Sequence, residues 1–255
     1  MNNKTILILS DGMRPDAVIQ SGHPVVKRFL EESYYSMTAR TVMPSVTLPC
    51  HMSLFHSVPP DRHGILTNTY FQMVRPINGI MEVLREARKN CGVFYMWEEL
   101  RDLWQPDSIA YSGYISGHIY REKAAPRLTE ECIRYIKEFE PDFVFLYFAE
   151  TDAMGHGSGW MGEKYMYALE RAWSMIGQVD DAIDGYNIIV TADHGGHERN
   201  HGTDLPEDMT IPIFIKGEGI APGQFDGGSI LDIAPTIAKL CGVMPDPEWE
   251  GKSLI

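Results

Sequence analysis

The residues with the clearest chemical potential are carboxylates, imidazoles and one threonine, and they recur at one kind of place in the chain. Asp11-Gly12 follows the apolar run Thr5–Ser10, and Pro44-Ser45-Val46-Thr47-Leu48-Pro49 follows Tyr35–Val42. Glu150-Thr151-Asp152-Ala153-Met154-Gly155-His156 follows Phe143–Phe148. Asp193-His194-Gly195-Gly196-His197, then His201-Gly202, follow Asn187–Thr191. Taken singly, several are ordinary: Asp-Gly makes turns, and a hydroxyl ahead of a proline starts helices. Asp152 and His156, four apart, would share one face of a helix, but glycines at 155, 157 and 159 favour a ligand-bearing loop. Asp193-His194 directly after a buried strand is hard to explain by packing. Together, three aspartates (Asp11, Asp152, Asp193) and three histidines (His156, His194, His201) form a hard-oxygen and imidazole set without thiolate, which suits zinc, with manganese as its rival. Six ligands exceed one tetrahedral site and suit two divalent ions sharing a substrate. Beside a hydroxyl at a helix N-terminus, that is phosphoryl chemistry.

The elements that must position these groups read as an α/β fold, a doubly wound, mostly parallel sheet with helices on both faces. Strands are expected at Thr5–Ser10, Tyr35–Val42, Gly92–Trp97, Phe143–Phe148, Asn187–Thr191 and Pro212–Lys216, mostly as continuous apolar runs buried on both sides. Helices are expected from Pro24, from an Asn78 cap to about Asn90, from Thr129 to Pro141, over about Gly162–Ile183, and from an Asp232 cap to Gly242. In such a sheet, ligands bind beyond the carboxyl ends of the strands, so scattered motifs would meet at one edge. The stretch 101–127 is the least patterned, an excursion over a site or a long connection. No repeat or linker marks a boundary, so residues 1–255 are expected to form one minimal catalytic domain without a large cap.

Charge narrows the partners. Over 255 residues, 35 Asp plus Glu against 22 Lys plus Arg give a net charge of −13. That argues against a nucleic-acid polymer or an anionic membrane as partner. Cys50, Cys91, Cys132 and Cys241 are scattered, as expected for reduced thiols in a cytoplasmic protein. The N-terminal apolar run is too short for a signal peptide, and no run approaches the ~20 apolar residues of a membrane span.

The ordered motifs I-L-I-L-S-D-G-M-R-P-D, M-P-S-V-T-L-P-C-H-M-S-L-F, D-R-H-G-I-L-T-N, T-D-A-M-G-H, V-T-A-D-H-G-G, H-G-T-D-L-P-E and L-D-I-A-P-T-I-A run from residue 6 to about residue 242. This pattern resembles the alkaline-phosphatase superfamily, in its type I phosphodiesterase/nucleotide pyrophosphatase branch. The resemblance implies that Asp11, Asp193 and His194 hold one metal with the Thr47 oxygen, and that Asp152, His156 and His201 hold the other. It implies Thr47 as nucleophile, through a phospho-threonine intermediate, and Asn68 as an amide donor to the phosphoryl group. A sulfatase would need C-x-P-x-R, whereas Cys50 is followed by His51, Met52, Ser53 and Leu54. Phosphoglycerate mutases of the superfamily use Ser where this chain has Thr47. His201 lies only eight residues after Asp193, which makes His197 its competitor. A neutral Asn68 suits a diester, with a phosphonate hydrolase or a phosphomonoesterase as alternatives and a catalytically silent metal- or phosphate-binding protein as the reading from another class. The substrate would be a small phosphate ester or phosphonate. His63 is expected in a turn. His118, Tyr120 and Arg121 could contact substrate, and Phe71, Tyr114 and Trp160 could stack on a base or cover core.

Overall fold

In the computed structural model, which describes residues 3–255, the apolar runs become β1 (Thr5–Ser10), β2 (Tyr34–Arg40), β3 (Cys91–Tyr95), β4 (Tyr111–Tyr114), β5 (Phe143–Phe148), β6 (Asn187–Thr191), β7 (Thr210–Lys216) and β8 (Gly223–Gln224). They form one eight-stranded sheet in the order β4-β3-β5-β1-β6-β7-β2-β8. β1 pairs in parallel with β5 and β6, β3 with β4 and β5, and β2 with β8. β7 alone is reversed, antiparallel to both β6 and β2. Every residue of β1, β3, β5 and β6 is buried, which is why these strands read as unbroken apolar runs rather than alternating ones.

The helices are α1 (Pro15–Ser21), α2 (Pro24–Glu32), α3 (Thr47–His56), α4 (Pro60–His63), α5 (Ile80–Glu86), α6 (Gly117–Tyr120), α7 (Ala124–Phe139), α8 (Glu150–Ser158), α9 (Glu163–Ala182), α10 (Pro206–Met209) and α11 (Ile233–Leu240). One layer packs α1, α2 and α7 against α9; the other packs α4, α5 and α11 around α3. Phe29 of α2, Trp173 of α9 and Phe214 of β7 meet edge to face at 5.4–6.1 Å in the first layer. In the second, Phe55 of α3 meets Phe145 of β5 at 5.0 Å. The doubly wound, mostly parallel sheet with helices on both faces is therefore what the chain forms.

Two features of this topology matter for the site. Strands β1, β2, β5 and β6 all end at the same edge of the sheet. Because β7 is reversed, the chain stays at that edge from residue 192 to residue 209 and enters β7 from it. All the candidate ligand segments are thus delivered to one side.

Several local expectations are corrected. Residues 150–158 are helical, not a loop, so Asp152 and His156 share a helix face after all. The helix expected from Thr129 begins at Ala124; Thr129 is internal, its hydroxyl donating back to Ala125 O at 2.8 Å instead of capping. The helix expected to run from Asn78 to Asn90 is capped at Gly79, whose N–H donates to Glu82 Oε2 at 2.8 Å, and it ends at Glu86 with Arg88 in the left-handed region. The last helix is entered through one tight turn, Ile230–Asp232, capped by Ser229 rather than by Asp232. The weakly patterned stretch contains β4, an edge strand whose Tyr, Ser and Gly residues carry little apolar signal.

Phe145 joins the sheet to the helix that carries Thr47, with His51, Phe55 and Tyr147 around its ring. Phe145→Ala is expected to lower the unfolding free energy by about 3–5 kcal/mol in a urea titration.

Candidate active site

Asp11 leaves the end of β1 with its N–H donating to Phe148 O of β5 at 2.9 Å. Gly12, at φ +66°, then turns the chain away, and its N–H donates to Asp193 Oδ1 at 3.2 Å. Asp152 and His156 stand one turn apart on α8. Asp193 and His194 follow β6 and are fully buried. Thr47 is the first residue of α3, a helix with no exposed residue. His201 comes back over this group from the 192–209 crossing.

The side chains converge in two overlapping clusters, Asp152–His156–His201 and Asp11–Asp152–His194. In the first, Asp152 Oδ1 lies 3.5 Å from His156 Nε2 and 3.6 Å from His201 Nε2. In the second, His194 Nε2 lies 3.3 Å from Asp11 Oδ1, from Asp193 Oδ2 and from Thr47 Oγ1. Asp152 belongs to both sets, a shared position that the motif reading assigns to one ion only. The two clusters are joined by the His194 and His201 rings, stacked with centroids 3.8 Å apart.

The protons on these rings can be placed. His194 Nδ1 faces Gly195 O at 2.7 Å, His201 Nδ1 faces Ser45 O at 2.8 Å and His156 Nδ1 faces Arg199 O at 2.9 Å. A backbone carbonyl can only accept, so each Nδ1 carries the hydrogen, and in the neutral ring each Nε2 presents a lone pair. His156 Nε2 and His201 Nε2 then face each other at 3.1 Å as two acceptors. Asp11 Oδ1, Asp152 Oδ1 and Asp193 Oδ2, the carboxylate oxygens aimed at these nitrogens, are buried without a hydrogen-bond partner. Converging lone pairs and orphaned anionic oxygens fit a cation. The spacing fits as well, since ligands ~2.0–2.1 Å from a tetrahedral zinc lie ~3.3–3.4 Å from one another.

The model of the metalloenzyme superfamily matches residues 103–245. The chain belongs to the metalloenzyme superfamily. The model of type I phosphodiesterase / nucleotide pyrophosphatase matches residues 5–114, so the resemblance to the alkaline-phosphatase superfamily and this branch of it is borne out. Human ectonucleotide pyrophosphatase / phosphodiesterase 5 shares the fold with a TM-score of 0.83 at 14% identity, over 98% of this chain and 97% of that one. An inactive form of the murine protein in complex with AMP gives 0.81 at 15% identity, over 96% of both chains. The phosphonate monoester hydrolase of Agrobacterium radiobacter gives 0.74 at 15% identity, covering 98% of this chain and 76% of that one. In sequence, the 2,3-bisphosphoglycerate-independent phosphoglycerate mutase of Rhodopirellula baltica is 31% identical over 143 residues, 52% of this chain and 26% of the mutase. The chain thus spans about a quarter of the length of the curated relatives it matches.

A metalloenzyme centre needs supports behind its ligands, and here several were not singled out by the motifs. The Tyr147 hydroxyl donates to Asp11 Oδ2, which orients the other oxygen inward. His51, one turn after Thr47, donates from Nδ1 to Thr47 O at 2.8 Å and lies 3.5 Å from Asp193 Oδ2. Asp208 accepts from His197 Nδ1 at 2.7 Å and from Thr203 N and Oγ1 at 2.9 and 2.8 Å, stapling the crossing that carries His201. His197 is therefore committed to Asp208, while His201 stands in the cluster. Signals for these were faint: Tyr147 is the one hydroxyl in an aromatic strand, and His51 has only its i+4 spacing from Thr47.

Electrostatics point the same way. Burial first, then Asp193 and Asp152, holds the Asp11 carboxyl well above the ordinary carboxylate range. Burial also raises Asp193, with His51 opposing and Asp152 adding to the rise. Burial lowers His194 and, aided by the neighbouring His194, pushes His201 down to about 4.

Asn68 is exposed, and its Oδ1 accepts from Leu48 N at 2.9 Å, pinning its amide beside Thr47. His63 is buried at the end of α4, bonded to Ser53 Oγ at 3.0 Å, so it is structural. Phe71, Tyr114, His118, Tyr120 and Arg121 are exposed. Trp160 is buried beneath the clusters.

The pH dependence of metal binding follows from the buried carboxyls. A folded-state pKa above the unfolded value gives stability that is complete below the unfolded carboxylate range and lost as pH rises through the folded value. The metal-free chain therefore loses stability towards neutral pH through Asp11 and Asp193, and a cation reverses that loss by pairing with their ionised forms. Chelation is expected to lower the Tm by roughly 5–10 °C at pH 8 and by less at pH 6, read by calorimetry. His201→Ala is expected to lower the metal bound per chain in elemental analysis, whereas His197→Ala is expected to leave it at the wild-type level.

Proposed function

We propose that the chain is a two-metal hydrolase of small phosphate esters, most specifically a phosphodiesterase of the nucleotide pyrophosphatase kind, acting through Thr47. The observation that carries this reading is the Thr47 hydroxyl, buried at the start of α3, 3.3 Å from the same His194 Nε2 on which Asp11 and Asp193 converge. Asp11, Asp193, His194 and Thr47 would hold one divalent ion and Asp152, His156 and His201 the other, zinc first and manganese second by donor type. Bound there, the two ions supply charge neutralisation at the phosphoryl and leaving oxygens and lower the pKa of the Thr47 hydroxyl.

The chain's own residues do the rest. Thr47 Oγ1 forms a bond to phosphorus as the bond to the leaving oxygen breaks, giving a phospho-threonine; water then cleaves that ester and restores the hydroxyl. In the first turn of α3, Leu48 N–H is taken by Asn68 Oδ1, Pro49 has no N–H and Cys50 N–H donates to Val46 O at 3.0 Å. The Thr47 N–H is the amide of that turn left to face a phosphoryl oxygen, at the positive end of the helix. With its Oδ1 occupied, Asn68 has its NH2 hydrogens to donate to the same group.

A neutral amide supports a phosphoryl group of lower charge, hence the diester. Arg14, the arginine next after Asp11, is spent on Asp16 and on Gly196 O at 2.9 Å. A phosphonate substrate would be handled by the same groups, and its hydrolysis is told apart by products, since cleavage of carbon–phosphorus releases phosphate without an alcohol.

Purified protein loaded with zinc or manganese is expected to cleave bis-p-nitrophenyl phosphate and the thymidine 5′-monophosphate p-nitrophenyl ester faster than p-nitrophenyl phosphate. A strong preference for the monoester would overturn the diester reading. Thr47→Ala is expected to lower kcat by roughly 10⁴-fold or more with metal content unchanged, and Asn68→Ala by roughly 10²–10³-fold.

A further inference from the structure

Trp160 touches three of the segments that carry candidate ligands, those of Asp11, of Asp152 and His156, and of His194 and His201. Its indole Nε1–H donates to Gly12 O at 3.0 Å, next to Asp11. Its ring lies against Gly155, between Asp152 and His156, so closely that a β-carbon there would sit 2.6 Å from it. The same ring faces Gly196, between His194 and His201, where a β-carbon would sit 2.2 Å away. His156 stands edge-on to the ring at 5.2 Å and His201 at 6.0 Å. The backbone of Trp160 is held too, its N–H donating to Glu198 O at 2.8 Å, inside the turn that leads to His201. Glu198 occupies the left-handed region at φ +47°, where a residue with a β-carbon is strained, so the turn is held by its surroundings.

We propose that Trp160 is a positioning residue that sets the separation of the two cation sites and orients His156 and His201. The inference rests on the two-metal reading of the site and goes beyond it by naming what holds the two halves in register. A flat, rigid ring wedged among three glycines transmits any displacement of one segment to the other two, because a close-packed interior has no slack to absorb it. The indole N–H ties the Asp11 turn to the ring, and the ring supports both imidazoles of the Asp152–His156–His201 cluster. Two glycines are thereby explained together: Gly155 and Gly196 are where backbone must come within reach of one indole, whereas Gly12 is already required by its left-handed φ of +66°.

Helix α8 supplies a matched pair of variants. Gly155→Ala places a methyl into the ring, whereas Gly157→Ala, two residues on in the same helix, meets nothing within 4 Å. Both add the same helix propensity. Zinc and manganese affinities would be measured on full-length protein by competition with a chromophoric chelator. Gly155→Ala and Trp160→Phe are expected to weaken the weaker-bound ion by about tenfold or more, and Gly157→Ala to leave both ions unchanged. In a Trp160→Ala background, Gly155→Ala should lose most of its further effect, since the ring it strikes is gone. Cobalt titration should quench tryptophan emission in the wild type and quench it less in Trp160→Phe, which also reports that the second site is filled. Wild-type protein that binds no divalent ion would overturn the two-metal reading and this inference with it. Wild-type protein that binds two ions, with Gly155→Ala and Trp160→Phe binding them unchanged, would overturn only the role of Trp160.

Discussion

Three carboxylate oxygens, from Asp11, Asp152 and Asp193, are buried at one edge of the sheet without a hydrogen-bond partner. Buried anionic oxygens are costly unless paired, and no lysine or arginine makes an ion pair with any of the three among the described residues. The nearest groups are imidazole nitrogens with their lone pairs turned inward. The rest of the structure serves this arrangement of like charges and lone pairs. Strands β1, β5 and β6 bring the aspartates side by side, and the reversed β7 keeps the His201 segment on the same edge.

The supports behind the ligands follow a common rule. Each of the three candidate ligand histidines, His156, His194 and His201, has its Nδ1 hydrogen on a backbone carbonyl, which turns Nε2 inward without adding a charge. Asp11 has its outer oxygen on Tyr147, a neutral hydroxyl, which orients it at the same small electrostatic cost. Formal cations are spent elsewhere: Arg14 braces the Gly196 backbone and Asp16, and Arg171 lies by Glu122 and Glu150. A site supported by neutral donors keeps its affinity for an external cation, which neighbouring ammonium or guanidinium groups would weaken.

This also gives the net charge of −13 a local meaning. Two divalent ions would reverse the sign of the field at the cluster while the outer surface stays acidic. On the function proposed above, an anionic ester would then be attracted to the site rather than to the surface at large.

Much of the fold was legible because its strands are buried on both faces: Thr5–Ser10, Phe143–Phe148 and Asn187–Thr191 end where the apolar runs end. The ligand chemistry was legible for a similar reason, since Asp-His after a buried strand has few packing explanations. Edge strand β4 was not legible, because half-exposed Tyr-Ser-Gly-Tyr has no burial pattern to read. The glycines at 155 and 157 argued for a loop by propensity, yet both lie in α8, where the bare backbone of Gly155 leaves room for the Trp160 indole. What the amino-acid sequence alone determined, then, is the set of candidate carboxylate and imidazole groups and the side of the sheet to which they are sent, since both depend on residue type and on short-range pattern. What only the tertiary structure decided is which groups meet. That His201 and not His197 enters the cluster, that Asp152 is shared, and that Trp160 lies beneath all three segments depend on distances between residues far apart in the chain, which no local pattern encodes.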